Sequence, residues 1–400
     1  MEKNLKERFL QSLKNHYPEI TSQHDITQLV DENLLCPFSL TLPQKVMNDI
    51  KSFIKNFFSL RETPAYSEFL LSKYKKSDLV DPGNKSLFMS YDFHLNEDIE
   101  PQLIEVNTNA AFLALGHHLY ETLQLSTGTG FQLNDLKNDF LQELRLLKKA
   151  TSNPNPKILE QPKVLIIDEN PEQQRLFIEF LVYQELLRSF GWNCSISDYR
   201  NIGSYDFNFI YNRWTDFYFS QPSSALLKEL YTNKTVCFSP NPYEYFLQAD
   251  KQRLIDIHST DLWEKVAIPE VQKHLLQKHI PFSQIIDSTN KSVLWEQRKK
   301  LFFKPLNSFG SKQTYKGASI SRKTFEEFNM NEFLAQEYIA APEIEFETPE
   351  GKDKFKYDLR CYAYKDQLQL IVARVYKGQV TNLKTKYGGF AAIQWQTSTT

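Results

Sequence analysis

The sequence predicts an α/β (α+β) fold in which a helical N-terminal region precedes several parts that contain strands. Three patterns lead to this prediction. Residues 1–85 carry apolar side chains at helical spacing, residues 161–260 alternate between short apolar runs and amphipathic helices, and residues 261–400 mix a few helices with several strand patterns. Alternation of strand and helix is typical of a small open α/β domain.

The helical prediction for the N-terminal region depends on one long segment, residues 40–60. Its apolar residues fall on one face of a helix; they are Val46, Ile50, Phe53, Ile54 and Phe57. A Pro- and Asn-rich stretch at 151–163 predicts a linker. These patterns divide the chain into a helical N-terminal region (1–85), a hairpin with a following helix (86–160), an α/β domain (161–260) and a C-terminal part (261–400).

The α/β domain begins with the apolar run 163–168, which predicts a buried parallel strand. An amphipathic helix follows, with Gly191 as its C-cap candidate. Further strands end near Tyr211 and Arg213. Ligands of open α/β sheets lie beyond the carboxyl ends of the strands, so these two residues are candidates for substrate binding.

The composition excludes several classes of function. The 400 residues include 47 basic and 49 acidic ones, which gives no electrostatic footprint for nucleic acid or an anionic membrane surface. The first residues are charged rather than apolar, and no run approaches the length of a membrane span. Cys36, Cys194, Cys237 and Cys361 are widely scattered, which favours reduced thiols in a cytoplasmic protein.

Two adjacent histidines, His117 and His118, are a weak metal signal. The sequence places no second cluster of ligands beside them. We therefore do not expect a zinc site there.

The hairpin predicted over 90–112 carries an unusual number of polar residues. Alternation along its second strand places Glu105, Asn107 and Asn109 on one face and Ile104 on the other, and Asp92 can join the polar face from the first strand. One interpretation is the exposed face of an edge hairpin. The other is a site for a hard cation, because Mg²⁺ takes oxygen ligands, commonly one or two carboxylates together with substrate phosphates.

Phosphate-binding features occur later in the chain. A strand ends at Lys304, and the loop after it contains Ser308, Gly310 and Ser311, whose backbone N–H groups can approach phosphate oxygens. A second lysine, Lys251, follows a Pro-bearing loop and is predicted to begin a helix. An exposed turn and a solvated Asp-Lys pair are the alternative interpretations.

The run FLAQEYIAAPE is a strand that passes into a linker, where backbone groups can bind the edge of an adenine. Downstream, Asp358 and Arg360 lie on one face of a predicted strand, and Arg374 lies on the neighbouring strand. An arginine that points into a buried site normally needs an anionic partner. Asn382 and the pair Gly388-Gly389 complete this part of the chain.

In their order along the chain, these residues resemble the motifs of the ATP-grasp superfamily. The matching residues are Lys304-Pro305, Gln336-Glu337-Tyr338, Asp358-Leu359-Arg360, Arg374, Asn382 and Gly388-Gly389. The metal motif, Asp92 to Asn107, departs from the family pattern because it precedes the other motifs instead of following them. That order is the one expected of a circular permutation. The chain is thus similar to the circularly permuted ATP-grasp ligases of the glutathionylspermidine synthetase and glutathione synthetase-like group, with residues 161–260 as the pre-ATP-grasp domain.

The resemblance implies an ATP- and Mg²⁺-dependent ligase that joins a carboxylate to an amine or thiol through an acyl-phosphate. It implies two Mg²⁺ ions on Asp92, Glu105 and Asn107, and Arg360 and Arg374 as catalytic residues. The implied ATP-binding residues are Lys251, Lys304, Ser308, Gly310, Ser311, Gln336, Glu337, Tyr338, Ile339, Glu343 and Asp358, with Asp358 ahead of Glu343 for the ribose. Tyr211, Arg213 and Asn382 are the substrate-site candidates.

Two other functions stay open on the same scaffold, a small-molecule kinase and an inactive nucleotide-binding protein. The expected partners are a small-molecule or peptide carboxylate and an amine acceptor. For residues 1–85 the sequence leaves three roles open, which are covering the cleft, forming a homodimer and binding a partner.

Overall fold

The structure is a computed structural model that describes residues 4–151, 157–306 and 313–396. The helices, in chain order, are α1 (Leu5–His16), α2 (Pro18–Gln23), α3 (Ile26–Leu29), α4 (Gln44–Glu62), α5 (Pro64–Lys73), α6 (Leu113–Leu123), α7 (Leu136–Thr151), α8 (Lys157–Glu160), α9 (Phe177–Ser189), α10 (Ala225–Thr232), α11 (Pro242–Glu244), α12 (Arg253–Asp256), α13 (Thr260–Lys265), α14 (Glu270–His279), α15 (Lys291–Gln297) and α16 (Arg322–Glu326).

The strands form several sheets and occur mainly in the second half of the chain. They are β1 (Leu40–Pro43), β2 (Met89–Leu95), β3 (Pro101–Asn107), β4 (Lys163–Asp168), β5 (Asn193–Asp198), β6 (Phe209–Asn212), β7 (Cys237–Ser239), β8 (Ser283–Ile285), β9 (Leu301–Pro305), β10 (Tyr315–Lys316), β11 (Phe333–Glu337), β12 (Glu343–Thr348), β13 (Gly351–Tyr364), β14 (Gln367–Tyr376), β15 (Gly389–Ala391) and β16 (Ile393–Gln396). The mixed α/β fold class is confirmed.

The largest sheet joins the early hairpin to late strands. Its order is β15-β14-β13-β2-β3, with β12 paired to β13, and the neighbouring strands are antiparallel. The predicted hairpin is present as β2 and β3, and β2 pairs on its other side with β13. Residues that are far apart in sequence therefore share one face of this sheet.

The predicted small α/β layer is present as a four-stranded parallel sheet in the order β5-β4-β6-β7. Helix α9 ends at Ser189, and Gly191 follows with φ +82°. A left-handed backbone of this kind favours glycine, which explains how the chain turns from α9 into β5.

Two smaller sheets complete the fold. One is antiparallel, in the order β10-β9-β11-β8. The other pairs β1 in parallel with β16, a strand pair that the sequence did not predict. Gly389, at the start of β15, has φ +107°, and a Cβ built there would lie 2.6 Å from the carbonyl oxygens of Asn33 and Leu34. The Gly-Gly motif therefore allows the 33–34 segment to approach the sheet.

The N-terminal helices share cores with later parts of the chain. The predicted apolar face of α4, which includes Ile50 and Phe53, is fully buried against the large sheet, in one cluster with Phe93 and Leu359. Another cluster holds α1 together with α6, α9 and the parallel sheet. Among the described residues, no helix is both long enough and apolar enough to cross a membrane.

Candidate functional site

A cavity of about 370 Å³ lies between the large sheet and the four-stranded antiparallel sheet. Its walls come from β2, β3, β13 and β14 on one side and from β9 and β11 on the other. The lining includes most of the predicted site residues; these are Asp92, Glu105, Asn107, Lys251, Lys304, Gln336, Glu337, Tyr338, Ile339, Asp358, Arg360, Arg374 and Asn382. Residues from the early hairpin and from the C-terminal part thus meet in one place.

Asp92 is the centre of the charged network in this cavity. It is 1% exposed and lies in register with Arg360 on one side and with Glu105 on the other. Arg360 binds both carboxylate oxygens, with Nε–Oδ1 2.9 Å and Nη2–Oδ2 2.7 Å, and Nη2 of Arg374 donates to Oδ2 at 2.9 Å. Burial alone would raise the pKa of Asp92, but the two guanidinium groups outweigh it and lower that pKa to about 2.

Arg374 also binds Asp358, the residue opposite it in register. Its Nε donates to Oδ1 at 2.7 Å and its Nη2 donates to Oδ2 at 3.0 Å. Although burial disfavours its charged form, Asp358 and Asp92 raise the pKa of Arg374. The two carboxylates therefore fix the guanidinium plane of Arg374 inside the cavity.

A bulge in the hairpin corrects the predicted face of Ile104. Asp92 pairs with Glu105 and Phe93 pairs with Leu103, so Ile104 is the extra residue between them. Bulges of this kind redirect side chains. Ile104 consequently lines the cavity beside Glu105, instead of pointing to the opposite face.

The oxygen donors on the hairpin fit a hard divalent cation. Nδ2 of Asn107 lies 3.3 Å from Oδ2 of Asp92 and 3.5 Å from Oε1 of Glu105, so two carboxylates and an amide meet at one point. This donor chemistry is that of a Mg²⁺ site that shares its ion with a phosphate. The arginines on Asp92 leave Glu105 and Asn107 as the groups most open to such an ion.

Lys304 is a buried cation in the opposite wall. It is 5% exposed, and its Nζ donates to the carbonyl of Ile104 at 2.9 Å and to Oε1 of Gln336 at 2.8 Å. Burial lowers the pKa of Lys304 to about 8, although Glu105 opposes the shift. Nε2 of Gln336 is a buried donor that has no hydrogen-bond partner within the described part of the chain. A donor of this kind in a cavity wall is available to an acceptor atom of a ligand.

Lys251 lines the cavity but does not begin a helix, contrary to expectation. A π-helical turn over Tyr245–Ala249 precedes it, and α12 begins only at Arg253. Such turns are frequent at functional sites. Burial lowers the pKa of Lys251, against the influence of Glu105 and Asp250.

The segment after β11 forms the third side of the cavity. The ring of Tyr338 stacks on Phe302 with a centroid distance of 6.3 Å, and Nζ of Lys316 lies 4.5 Å from its centroid. The carbonyl of Ile339 is 2.8 Å from Nδ1 of His94. His94 is a cavity residue that our sequence analysis missed, although its position two residues after Asp92 on one strand gave a signal.

The remaining predicted site residues have other surroundings. Glu343 is exposed on β12 and is not among the cavity residues. The side chain of Asn382 lines the cavity, but it also holds its own loop, donating to the carbonyl of Lys377 at 2.8 Å and accepting from Oγ1 of Thr385 at 3.0 Å. Ser308, Gly310 and Ser311 lie outside the described residues.

The two substrate candidates of the α/β layer, Tyr211 and Arg213, do not line this cavity. Tyr211 is 1% exposed and packs on Phe88, with a centroid distance of 4.2 Å. The guanidinium of Arg213 donates to the carbonyl of Asn109. In return, the side-chain Nδ2 of Asn109 donates to the carbonyl of Arg213 at 3.2 Å. These contacts join the end of β6 to the loop after β3.

Comparison with solved structures places this architecture beside a known fold. The chain resembles a glutathione synthetase-like effector from Globodera pallida, solved in its apo form, with a TM-score of 0.52, 9% identity and coverage of 90% of both chains. Weaker similarities are to a candidate gamma-glutamylcysteine synthetase from Methylobacillus flagellatus KT (TM-score 0.45, 11% identity, 87% of both chains) and to a D-cycloserine synthetase (TM-score 0.30, 10% identity, 56% of this chain and 92% of that one). No family model and no curated protein matches the sequence. At 9% identity, the likeness to the effector concerns the fold.

Proposed function

We propose that this protein is an ATP- and Mg²⁺-dependent ligase of the ATP-grasp type, which joins a carboxylate to an amine or thiol through an acyl-phosphate. The observation that carries the proposal is the composition of the cavity. Two carboxylates and an amide, the buried Lys304, the half-buried Lys251 and two arginines held by carboxylates converge there from distant parts of the chain. Transfer of a phosphoryl group requires this combination of oxygen ligands and fixed cations.

The sheet order supports a circular permutation of that fold. The strands β2 and β3, which carry the metal motif, occur early in the sequence but pair directly with β13. In this arrangement, Asp92 is in contact with Arg360 and Arg374, although the family pattern has its metal motif after those residues. A permutation of this kind changes the order of the motifs along the chain but keeps the contacts between them in the folded protein.

The residues of the chain would divide the work as follows. Lys304 and Lys251 neutralise the phosphates of ATP, and the segment from Glu337 to Ile339 binds adenine through its backbone. Arg374 stabilises the charge that develops on the transferred phosphoryl group and on the tetrahedral intermediate. When bound at Asp92, Glu105 and Asn107, Mg²⁺ supplies charge neutralisation at the β- and γ-phosphates.

The contacts favour a revised role for Asp358. Both of its oxygens accept hydrogen bonds from Arg374, so we assign it to orienting that arginine rather than to the ribose. Glu343, the second ribose candidate, is exposed outside the cavity lining.

The proposal is tested by calorimetric titration of ATP with and without Mg²⁺ into the wild-type protein and the Glu105→Gln variant. We expect wild-type binding to strengthen with Mg²⁺ and the variant to lose most of that gain, because the amide is a weaker ligand for a hard cation. Glu229→Gln, at an exposed position on α10, is the matched control. Absence of ATP binding to the wild type under both conditions would overturn the proposal.

Product analysis separates the ligase from its two alternatives. A ligase releases ADP and phosphate and yields a coupled product from a carboxylate and an amine. A small-molecule kinase yields ADP and a stable phosphorylated acceptor instead. An inactive nucleotide-binding protein binds ATP without releasing ADP.

The lowered pKa of Lys304 predicts a pH dependence of ATP binding. In the free protein, Lys304 loses its proton as the pH rises through about 8, whereas phosphate favours the charged form. Affinity for ATP should therefore fall as the pH rises through about 8, and binding near pH 8 should take up a proton. Titrations in two buffers with different ionisation enthalpies measure that uptake.

Two variants assign the proton. Lys304→Arg keeps the charge across this pH range and should abolish the uptake. Lys251→Arg should leave most of the proton uptake in place. If the Lys304→Arg variant takes up as many protons as the wild type on binding ATP, the assignment of the titrating group to Lys304 is wrong.

A further inference from the structure

A second group of chemically active side chains lies outside the cavity, where α1 meets α6. One ligand atom from each of His16, His118 and Glu121 lies within 4.8 Å of the others. His16 is the last residue of α1, and the other two lie on α6, more than 100 positions further along the chain. The fold thus supplies a partner that the sequence did not place beside His118.

The hydrogen bonds leave one imidazole nitrogen of His16 for a metal ion, whereas both ring nitrogens of His118 have partners that must rearrange on binding. Nδ1 of His16 lies 2.9 Å from the carbonyl of Ser12, so it donates there, and Nε2 of His16 keeps its lone pair. His118 has Nδ1 2.7 Å from Oε2 of Glu121 and Nε2 2.9 Å from the hydroxyl of Tyr17. The rings of the two histidines have centroids 5.0 Å apart.

His117 lies beside this group, on the same helix as His118 and Glu121. It is 5% exposed, and within the described residues its Nδ1 has no hydrogen-bond partner. That nitrogen lies 3.6 Å from Oε1 of Glu121, which is too long for a hydrogen bond. His117 therefore places a second buried imidazole next to the carboxylate of Glu121, without being one of the three residues of the group.

The surroundings leave room for further ligands. A cavity of about 570 Å³ opens beside the group, and its lining also includes Gln132, Glu185 and Arg188. A site with three protein ligands on one side and open space on the other can complete its coordination with water or a small ligand.

We propose that His16, His118 and Glu121 bind a borderline divalent transition metal, with Zn²⁺ as the reference ion. Imidazole nitrogen together with carboxylate oxygen suits such ions, whereas Mg²⁺ and Ca²⁺ prefer oxygen ligands alone. On binding, Nδ1 of His118 gives its lone pair to the metal, and the ring proton moves to Nε2. Nε2–H then donates to the oxygen of Tyr17, which orients the ring.

The bound metal would cross-link α1 to α6. Helix α1 has Phe9, Leu10 and Leu13 buried in the cluster that also contains α6. A metal bound at the end of α1 stabilises this docking, because it binds the folded arrangement and not the separated helices. This site is independent of the proposed ligase activity.

The test is a Zn²⁺ titration of the metal-free full-length protein against a chromophoric chelator, with thermal unfolding as a second measurement. We expect one Zn²⁺ per chain at this site and an increase in Tm. His16→Gln and Glu121→Gln should each weaken the binding roughly tenfold or more, and Tyr17→Phe should weaken it by roughly tenfold through the orientation of His118. His16 and Glu121 are accessible at the surface, so these variants should fold.

Matched controls make the outcome decisive. His274→Gln removes an exposed histidine that also faces a glutamate one helical turn away, with Nε2 3.7 Å from Oε2 of Glu270, and it should not change the binding. Glu105→Gln alters the cavity between the large sheet and the four-stranded antiparallel sheet instead. If this variant still binds Zn²⁺ as the wild type does, that cavity is not the source of the binding. The proposal is overturned if the wild type binds no Zn²⁺, if His16→Gln and Glu121→Gln bind as tightly as the wild type, or if Mg²⁺ displaces the metal.

Discussion

Replacing Arg374 by methionine is expected to reduce ADP release by two to three orders of magnitude while leaving ATP affinity within a few-fold of wild type. Arg374 is held at 2.7 Å by Asp358 and at 2.9 Å by Asp92, so it is fixed before any substrate arrives. Removing one such preorganised donor typically costs about 10²–10³ in kcat. Steady-state ADP release and ATP calorimetry on the same preparations measure the two quantities.

Arg374→Lys is the informative companion variant. It retains a positive charge but lacks the planar fork that contacts both carboxylates, so its ADP release should also be well below wild type. The methionine variant leaves Asp358 buried without its main partner, and its folding must be verified by circular dichroism before rates are compared. If folded Arg374→Met protein released ADP at the wild-type rate, phosphoryl transfer would not depend on this residue.

The second large effect is on stability. Asp92→Ala should lower the free energy of unfolding by roughly 3–5 kcal/mol, because Arg360 and Arg374, whose side chains are only 14% and 13% exposed, lose the carboxylate between them. Urea denaturation measures the change. The double variant Asp92→Ala/Arg360→Met should recover part of the loss, since it removes one of the unpaired charges.

The same carboxylate predicts how stability depends on acid. The pKa of Asp92 is about 2 in the folded protein, below its ordinary value near 3.9 when unfolded. The contribution of Asp92 to the free energy of unfolding is therefore complete above about pH 4 and is lost as the pH falls towards 2. The difference between wild type and Asp92→Ala should shrink over that range. A change below about 1 kcal/mol at pH 7 would contradict the expected role of Asp92.

The local elements were readable from the sequence because periodicity reports burial. The apolar stripe of α4 and the apolar run of β4 both occur where they were predicted, since each buries one face or both faces of a regular element. The hairpin β2–β3 was predicted for the same reason. Its bulge was not, because one extra residue leaves no mark in an alternating pattern and turns Ile104 towards the cavity.

The contacts between distant segments were not readable from residue types alone. Nothing near Asp92 in the sequence indicates that two arginines more than 260 positions away neutralise it. The pairing of His16 with His118 was invisible for the same reason, and the two adjacent histidines on α6 gave only a weak signal. The motif order did place Lys304, Asp358 and Arg374 at one site, but it could not distinguish a ribose ligand from a residue that orients an arginine.

The position of β2 between β3 and β13 has a consequence for the synthesis of the chain. About 260 residues separate the end of β3 at Asn107 from the end of β13 at Tyr364, the strand that pairs with the other edge of β2. At ribosomal rates of about 5–20 residues per second, the hairpin waits on the order of tens of seconds for its partner strands. Throughout that interval, β2 presents an unpaired edge of the kind that associates with other chains. The yield of folded protein in a cell and the stability of the folded molecule are therefore separate properties. Lowering the rate of translation initiation should improve the yield without changing the stability.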